Sequence, residues 1–244
     1  MNIIDAMESE ALFAPFFRGP SWAPWKACLA AMFALKMTKR QLALYRECTG
    51  RQEPPTQPCK EAALVVGRRG GKSRILSLIA VFVGAFVDHA AYLAPGEIAT
   101  IVVICPSRPQ SRICMRYIMA LLRGVPALAA MIESGTVESV LLSCRVQIET
   151  GTASYKVTRG YSYALVCADE SAFWPTTEES ARPDVEILRA VRPGLLNMPH
   201  SGVRGRIRLG SDLWPAVILI CCYQRRCLRG RSVSSNPFSA NHLA

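Results

Sequence analysis

Val66-Gly67-Arg68-Arg69-Gly70-Gly71-Lys72-Ser73 follows a short apolar run, Ala62 to Val66, and leads into a long apolar stretch, Ile75 to Val87. Strand, glycine loop and helix in that order are the context a phosphate-binding loop requires. Glycines let backbone N–H groups turn inward around phosphate oxygens, and the helix N-terminus behind them adds partial positive charge. In such a loop Lys72 reaches the β- and γ-phosphates of a nucleotide and the Ser73 hydroxyl sits on Mg²⁺. The pattern departs from G-x-x-x-x-G-K-S/T in one place. Val66 stands where the first glycine is usual, and Gly67 comes one residue later. A basic surface turn would also be rich in Gly and Arg, but it would not need a strand before it and a helix after it.

Downstream, Ala99 to Cys105 is a continuous β-branched run that reads as a second buried parallel strand. A helix follows from about Gln110 to Leu122. Arg108 and Arg112 stand near its start, where an open α/β sheet meets its ligands, so they are candidates to contact nucleotide or DNA. Val137 to Leu142 and Arg145 to Thr150 alternate loosely and read as a hairpin or two edge strands. Tyr163 to Asp169 is an apolar run that ends in two carboxylates, Asp169 and Glu170. An acid at the tip of a buried strand adjacent to the loop's strand can hold Mg²⁺, and a following Glu can polarise an attacking water. Asp169 takes the first role and Glu170 the second. A water-activating Glu points to hydrolysis of ATP rather than transfer of its phosphate to a bound acceptor.

Upstream, a helical pattern runs from the Trp22–Lys26 segment to Leu35, and a second helix from Lys39 to Cys48 has Thr38 as N-cap and Gly50 at its end. Trp22 and Trp25 are placed either to stack on an adenine ring or to pack this helical segment on the core. The chain has 244 residues, half of them hydrophobic, which is enough for one large α/β domain or two small ones. Its net charge of +11 suggests a polyanionic partner such as nucleic acid. From Ser201 onward there are seven Arg and one Asp, so +6 of that charge belongs to the tail. Ten cysteines are scattered without a C-x-x-C pair and there are only three His, a spacing that argues against a zinc module and for a reducing cytoplasm. The acidic N-terminus does not read as a signal peptide, and the longest apolar run is too short to span a membrane.

Three segments taken together carry a family resemblance: Gly67-Arg-Arg-Gly-Gly-Lys-Ser73, Arg159-Gly160-Tyr161-Ser162, and Asp169-Glu170-Ser-Ala-Phe173-Trp174. Over residues 15–198 the chain resembles the large terminase subunit of tailed bacteriophages and prophages, the motor that packages double-stranded DNA into a procapsid. The late-glycine, Arg-rich loop is itself typical of that family. The resemblance implies an α/β P-loop NTPase of the additional-strand class, with a mostly parallel central sheet flanked by helices and with ATP and Mg²⁺ as cofactors. It implies a nucleotide site of Gly67, Arg68, Arg69, Gly70, Gly71, Lys72, Ser73 and Trp25, metal held by Ser73 and Asp169, and Lys72 and Glu170 as catalytic residues. Arg159 resembles in placement the arginine finger that some terminases donate to a neighbouring subunit. The Trp22–Lys26 segment resembles the adenine-proximal motif, although Lys26 stands where Gln is frequent. The implied partners are duplex DNA held through its backbone, a portal, a small terminase subunit and further copies in a ring, in the cytoplasm of a bacterial host.

Two departures shape the domain reading of residues 1–60 as a helical, adenine-proximal segment, 61–200 as the ATPase core and 201–244 as an atypical Arg-rich tail. The nuclease domain of large terminases has no counterpart in this sequence. The strand that should carry a Ser/Thr coupling motif is poorly matched by Gly205 to Ser211, with Ser211 as candidate. A strongly apolar run, Ala216 to Cys222, then gives way to an Arg-rich segment without Lys, a switch that reads as translation out of frame, with a genuine basic DNA-binding tail as the alternative. Two alternatives to the packaging motor follow, a truncated remnant that binds nucleotide or DNA without turnover and another DNA-dependent P-loop ATPase.

Overall fold

The computed structural model describes residues 1–67, 69–153, 161–174, 183–196, 217–222 and 237–239. Arg68, Arg159 and Ser211 lie outside them. Three helices open the chain: α1 (Ile3–Glu8), α2 (Ala23–Met32) and α3 (Lys39–Thr49). The ends of α3 follow from its residue types. Thr38 and Gln41 form a reciprocal capping box, and Gly50 closes the helix in the left-handed region at φ 69°. There follow β1 (Glu61–Val66), α4 (Lys72–Phe86), β2 (Ala99–Cys105), α5 (Arg108–Arg123) and the single turn α6 (Pro126–Ala129). β3 (Ile132–Gly135), β4 (Ser139–Leu142), β5 (Val146–Thr152), β6 (Ser162–Asp169), α7 (Pro183–Leu196), β7 (Val217–Cys222) and β8 (Pro237–Ser239) complete the order.

The strands form one eight-stranded sheet in the order β3-β4-β5-β2-β6-β7-β1-β8. All neighbours from β5 to β8 run parallel, and β3 and β4 add an antiparallel edge. Two layers of helix cover it. On one face β2 contributes Ile101, Val103 and Cys105 to a core shared with α1, α2, α4 and α5. On the other, Val102 and Ile104 pack with Tyr163, Val166, Ile187 and Val191 beneath α7. Every residue of β2 is buried, as expected of a parallel strand covered on both sides. Helix α4 lies close against the sheet at Gly84, where a Cβ would approach the Ile148 and Ile101 methyls to 3.2 and 3.3 Å.

Three expectations change. The edge contains a third strand, β3, which pairs with β4 on the far side of the predicted hairpin. The strand ending in Asp169 is not adjacent to the strand feeding the phosphate-loop motif, because β7 lies between them. That intervening strand comes from the tail. Val217–Cys222 pairs along the whole of β1 and with Val166 to Asp169 of β6. Whatever the origin of the composition switch, the apolar run at 217–222 occupies the centre of the sheet. Ending the chain at position 200 removes β7 and β8, leaving one edge of β6 and both edges of β1 unpaired. The truncated chain is expected to lose its cooperative thermal transition by circular dichroism and to aggregate on size exclusion, whereas an unchanged melt would remove the tail from the fold.

Candidate functional site

The loop between β1 and α4 is shaped by two left-handed residues. Arg69 has φ 61° and Gly71 has φ 79°, and Gly70 N donates to the Gly67 carbonyl at 3.4 Å, closing the turn. Gly71 is the N-cap of α4, and its small size is required. A Cβ there would lie 2.9 Å from the Trp22 ring. The loop is fixed from below by Trp25, which is buried and donates from Nε1 to the Gly70 carbonyl at 2.7 Å. Trp22 also carries the guanidinium of Arg74 on its face, 4.8 Å from the ring centroid. The two tryptophans thus support the loop, and both also line the cleft above it. The first-turn N–H groups of α4 have no helical partner and point toward the loop. Lys72, only 7% exposed, donates from Nζ to the Gly67 carbonyl at 3.1 Å and stands 3.8 Å from Glu170 Oε1.

The acids reach this loop because of an irregularity in β6. Register with β2 shifts between Thr100↔Tyr163 and Ile101↔Leu165, leaving Ala164 as an extra residue. A one-residue insertion inverts the alternation beyond it. Leu165 and Cys167 therefore face α4 and α5, as does Asp169, the next odd residue. Asp169 Oδ2 accepts from Ser73 Oγ at 3.0 Å, across 96 residues of sequence, while Oδ1 is buried and has no partner among the described residues. Burial pushes the Asp169 carboxyl above its ordinary value of 3.8. The bond from Ser73 and the charge of Lys72 oppose that rise, and the neighbouring Glu170 adds to it. Glu170 itself is left-handed at φ 48°, which turns its side chain into the cleft.

Two contributors have no assigned role in the sequence reading. Gln110, at the start of α5, bridges the two halves: Nε2 donates to Glu170 Oε2 at 2.9 Å while Oε1 accepts from Ser107 Oγ at 2.8 Å. Trp174 Nε1 donates to the Asp169 carbonyl at 3.0 Å and fixes the end of β6 from the other face. Lone polar residues with no spacing signal, such as Gln110, are found only once the strands are ordered. The loop and Glu170 line a cleft of about 840 Å³, with Ile113 and Tyr117 of α5 on its wall. Its size suits a nucleotide-sized ligand. Ser73 and Asp169 offer hydroxyl and carboxylate oxygens, one of them an unpartnered buried atom, and this donor set fits a hard divalent cation such as Mg²⁺. Arg108 and Arg112 stand on the outer face of α5 with Arg116 and Arg123, all exposed and none ion-paired with a described residue. A second cleft, about 680 Å³, runs along that face to the β3–β4 turn.

The raised carboxyl has a consequence for stability. Its folded pKa lies above 3.8, so protons bind the folded state better. The stability it contributes is present below the unfolded value and is lost as pH rises through the folded one. In metal-free buffer at neutral pH the ionised carboxylate therefore weighs against folding. Asp169→Asn is expected to raise Tm at pH 7 and to narrow the difference at low pH, as read by calorimetry.

No protein-family model matches the chain, and no curated protein does. Among the described residues no helix is long and apolar enough to cross a membrane. Among solved structures the chain is similar to the Thermus phage P74-26 large terminase ATPase domain, at 16% identity and TM-score 0.45, over 79% of this chain and 68% of that one. It is also similar to the HK97 bacteriophage large terminase, at 19% identity and TM-score 0.44, over 67% of this chain and 29% of the other's length.

Proposed function

We propose that the chain is the ATP-hydrolysing domain of a phage-type DNA-packaging motor. The observation that carries this reading is the meeting of Ser73 with Asp169 at 3.0 Å beside Lys72 and Glu170, 3.8 Å apart, at the carboxyl ends of β1 and β6. Lys72, Gly67, Arg68, Arg69, Gly70 and Gly71 bind the triphosphate, with backbone N–H groups and the helix start supplying the donors. Trp25 holds the loop, and the base packs between the Trp22–Trp25 segment and the Tyr117 wall. Ser73 and Asp169 would hold Mg²⁺, which neutralises charge on the β- and γ-oxygens when bound. Glu170, oriented by Gln110, accepts a proton from the attacking water. Lys72 transfers its ammonium from Gly67 and Glu170 to the γ-phosphate and stabilises the charge developing there. Arg159 is the candidate to act on a neighbouring subunit's nucleotide in a ring seated on a portal, loaded by a small subunit, in the host cytoplasm.

Duplex DNA is the polyanion this reading requires. The exposed arginines of α5 are spaced to meet it: Arg108, Arg112 and Arg116 recur every four residues, about 6 Å apart along the helix. They would contact phosphates without reading bases.

Mg²⁺-dependent ATP hydrolysis by the purified chain tests the proposal. Lys72→Ala and Glu170→Ala are each expected to lower turnover by at least about 100-fold, with nucleotide binding kept in Glu170→Ala. Tight binding without turnover in the unaltered chain would instead favour the non-catalytic remnant. For DNA, Arg112→Gln combined with Arg116→Gln is expected to reduce the slope of log affinity against log salt by about 2, read by fluorescence anisotropy. An unchanged slope would move the DNA contact elsewhere.

A further inference from the structure

Behind the Ser73–Asp169 contact lie two thiols the hydrolysis reading does not use, and they meet Asp169. Cys105 ends β2, Cys114 lies one helical face into α5, and Asp169 ends β6 beside Cys105 on the same side of the sheet, one position beyond the registered pair Ile104↔Ala168. Cys105 Sγ and Cys114 Sγ are 3.7 Å apart, and Cys114 Sγ is 3.9 Å from Asp169 Oδ2. One ligand atom from each of the three lies within 4.8 Å of the other two, and all three residues are buried. A tetrahedral ion bonded to sulfur at about 2.3 Å and to oxygen at about 2.0 Å sets S···S edges of about 3.8 Å and S···O edges of about 3.5 Å. The two measured edges are within a few tenths of an ångström of these. Asp169, 2% exposed, also has its Oδ1 without a partner among the described residues. The nine-residue gap between the cysteines, one on a strand and one on a helix, is why no zinc spacing is visible in the sequence.

We propose that Cys105, Cys114 and Asp169 form a binding site for a thiophilic divalent cation of the zinc type. Three protein ligands plus one exchangeable position are a normal zinc arrangement, and two sulfurs with one carboxylate select such an ion over Mg²⁺, which takes six oxygens. Binding displaces two thiol protons to solvent and leaves the ion coordinated by two thiolates and the carboxylate. Entry is from the cleft that exposes Ser73. Asp169 is then shared between two mutually exclusive ions, and zinc bound there takes the carboxylate away from the Mg²⁺ position. This inhibitory consequence rests on the hydrolysis reading, whereas the site itself does not.

The test is cobalt titration of the purified full-length chain, nucleotide-free and with a phosphine reductant, followed by near-ultraviolet and visible absorption. A thiolate-to-cobalt charge-transfer band with tetrahedral d–d bands is expected, lost or weakened at least about tenfold in Cys105→Ala and in Cys114→Ala. Zinc is expected to displace the cobalt stoichiometrically. No band, or one undiminished in both variants, would overturn the site. Cadmium NMR of the unaltered chain reads the ligand set even where a variant fails to fold. A resonance from two sulfurs with oxygens supports the proposal, and an all-oxygen or four-sulfur resonance overturns it. In turnover assays Cys105→Ala is expected to keep Mg²⁺-dependent hydrolysis and to need at least about tenfold more zinc for inhibition. A chain that shows the cobalt band yet never hydrolyses ATP keeps the site and sinks the motor reading; hydrolysis with no band does the reverse.

Discussion

The hydrogen bond from Ser73 to Asp169 depends on the phase of one strand. Side chains alternate across a sheet, so the face on which an acid emerges is decided by every residue before it. In β6 the extra residue Ala164 resets that phase, and Leu165, Cys167 and Asp169 then share the side that α4 and α5 cover. Without the insertion the carboxylate would point toward α7, away from Lys72 and Ser73. The core on both faces enforces the register. Tyr163 and Val166 fill one side and Leu165 and Cys167 the other, all within 2% exposure, so a slip would expose apolar surface on both.

A second constraint holds the loop itself. Arg69 and Gly71 occupy left-handed backbone, a conformation that costs a non-glycine residue about 1 kcal/mol or more. The surroundings determine it. Trp25 bonds to the Gly70 carbonyl, Trp22 closes on Gly71, and Arg74 lies across Trp22 and Phe17 while donating to the Phe16 carbonyl. These aromatics belong to the same core cluster as α4. The N-terminal helices are therefore part of what shapes the phosphate-loop motif, and their packing and their place beside the cleft are one arrangement.

Much of this was legible in the residues. β2 matches the run Ala99 to Cys105, and the strand ending at Asp169 follows its apolar pattern. The caps of α3 sit where Thr38 and Gly50 predict them. These are local signals, in which side-chain type and backbone preference agree. What was not legible is non-local. β3 is a four-residue strand, only partly buried at best, that is defined by pairing with β4. Gln110 and the Cys105–Cys114 pair gain meaning only when β2, α5 and β6 lie side by side. Val217–Cys222 carries an apolar signal strong enough for a buried strand, but the Arg-rich sequence after it points toward translation out of frame. The run of Val, Ile and Leu was the better guide, since a strand flanked by β1 and β6 on either edge needs just that composition.

The position of β7 also bears on how the site behaves. In the proposed hydrolase, Lys72 and Glu170 stand at the ends of β1 and β6, and the strand between them sets their separation. Lys72 meanwhile holds two provisional partners, the Gly67 carbonyl and the Glu170 carboxylate at 3.8 Å. A triphosphate carries more charge than either and competes for the ammonium directly. In the proposed hydrolase its arrival draws Lys72 toward the phosphate, while Gln110 still donates to Glu170 Oε2. There the same lysine therefore joins the loop after β1 to the acid at the end of β6, so a ligand that draws it away acts on both.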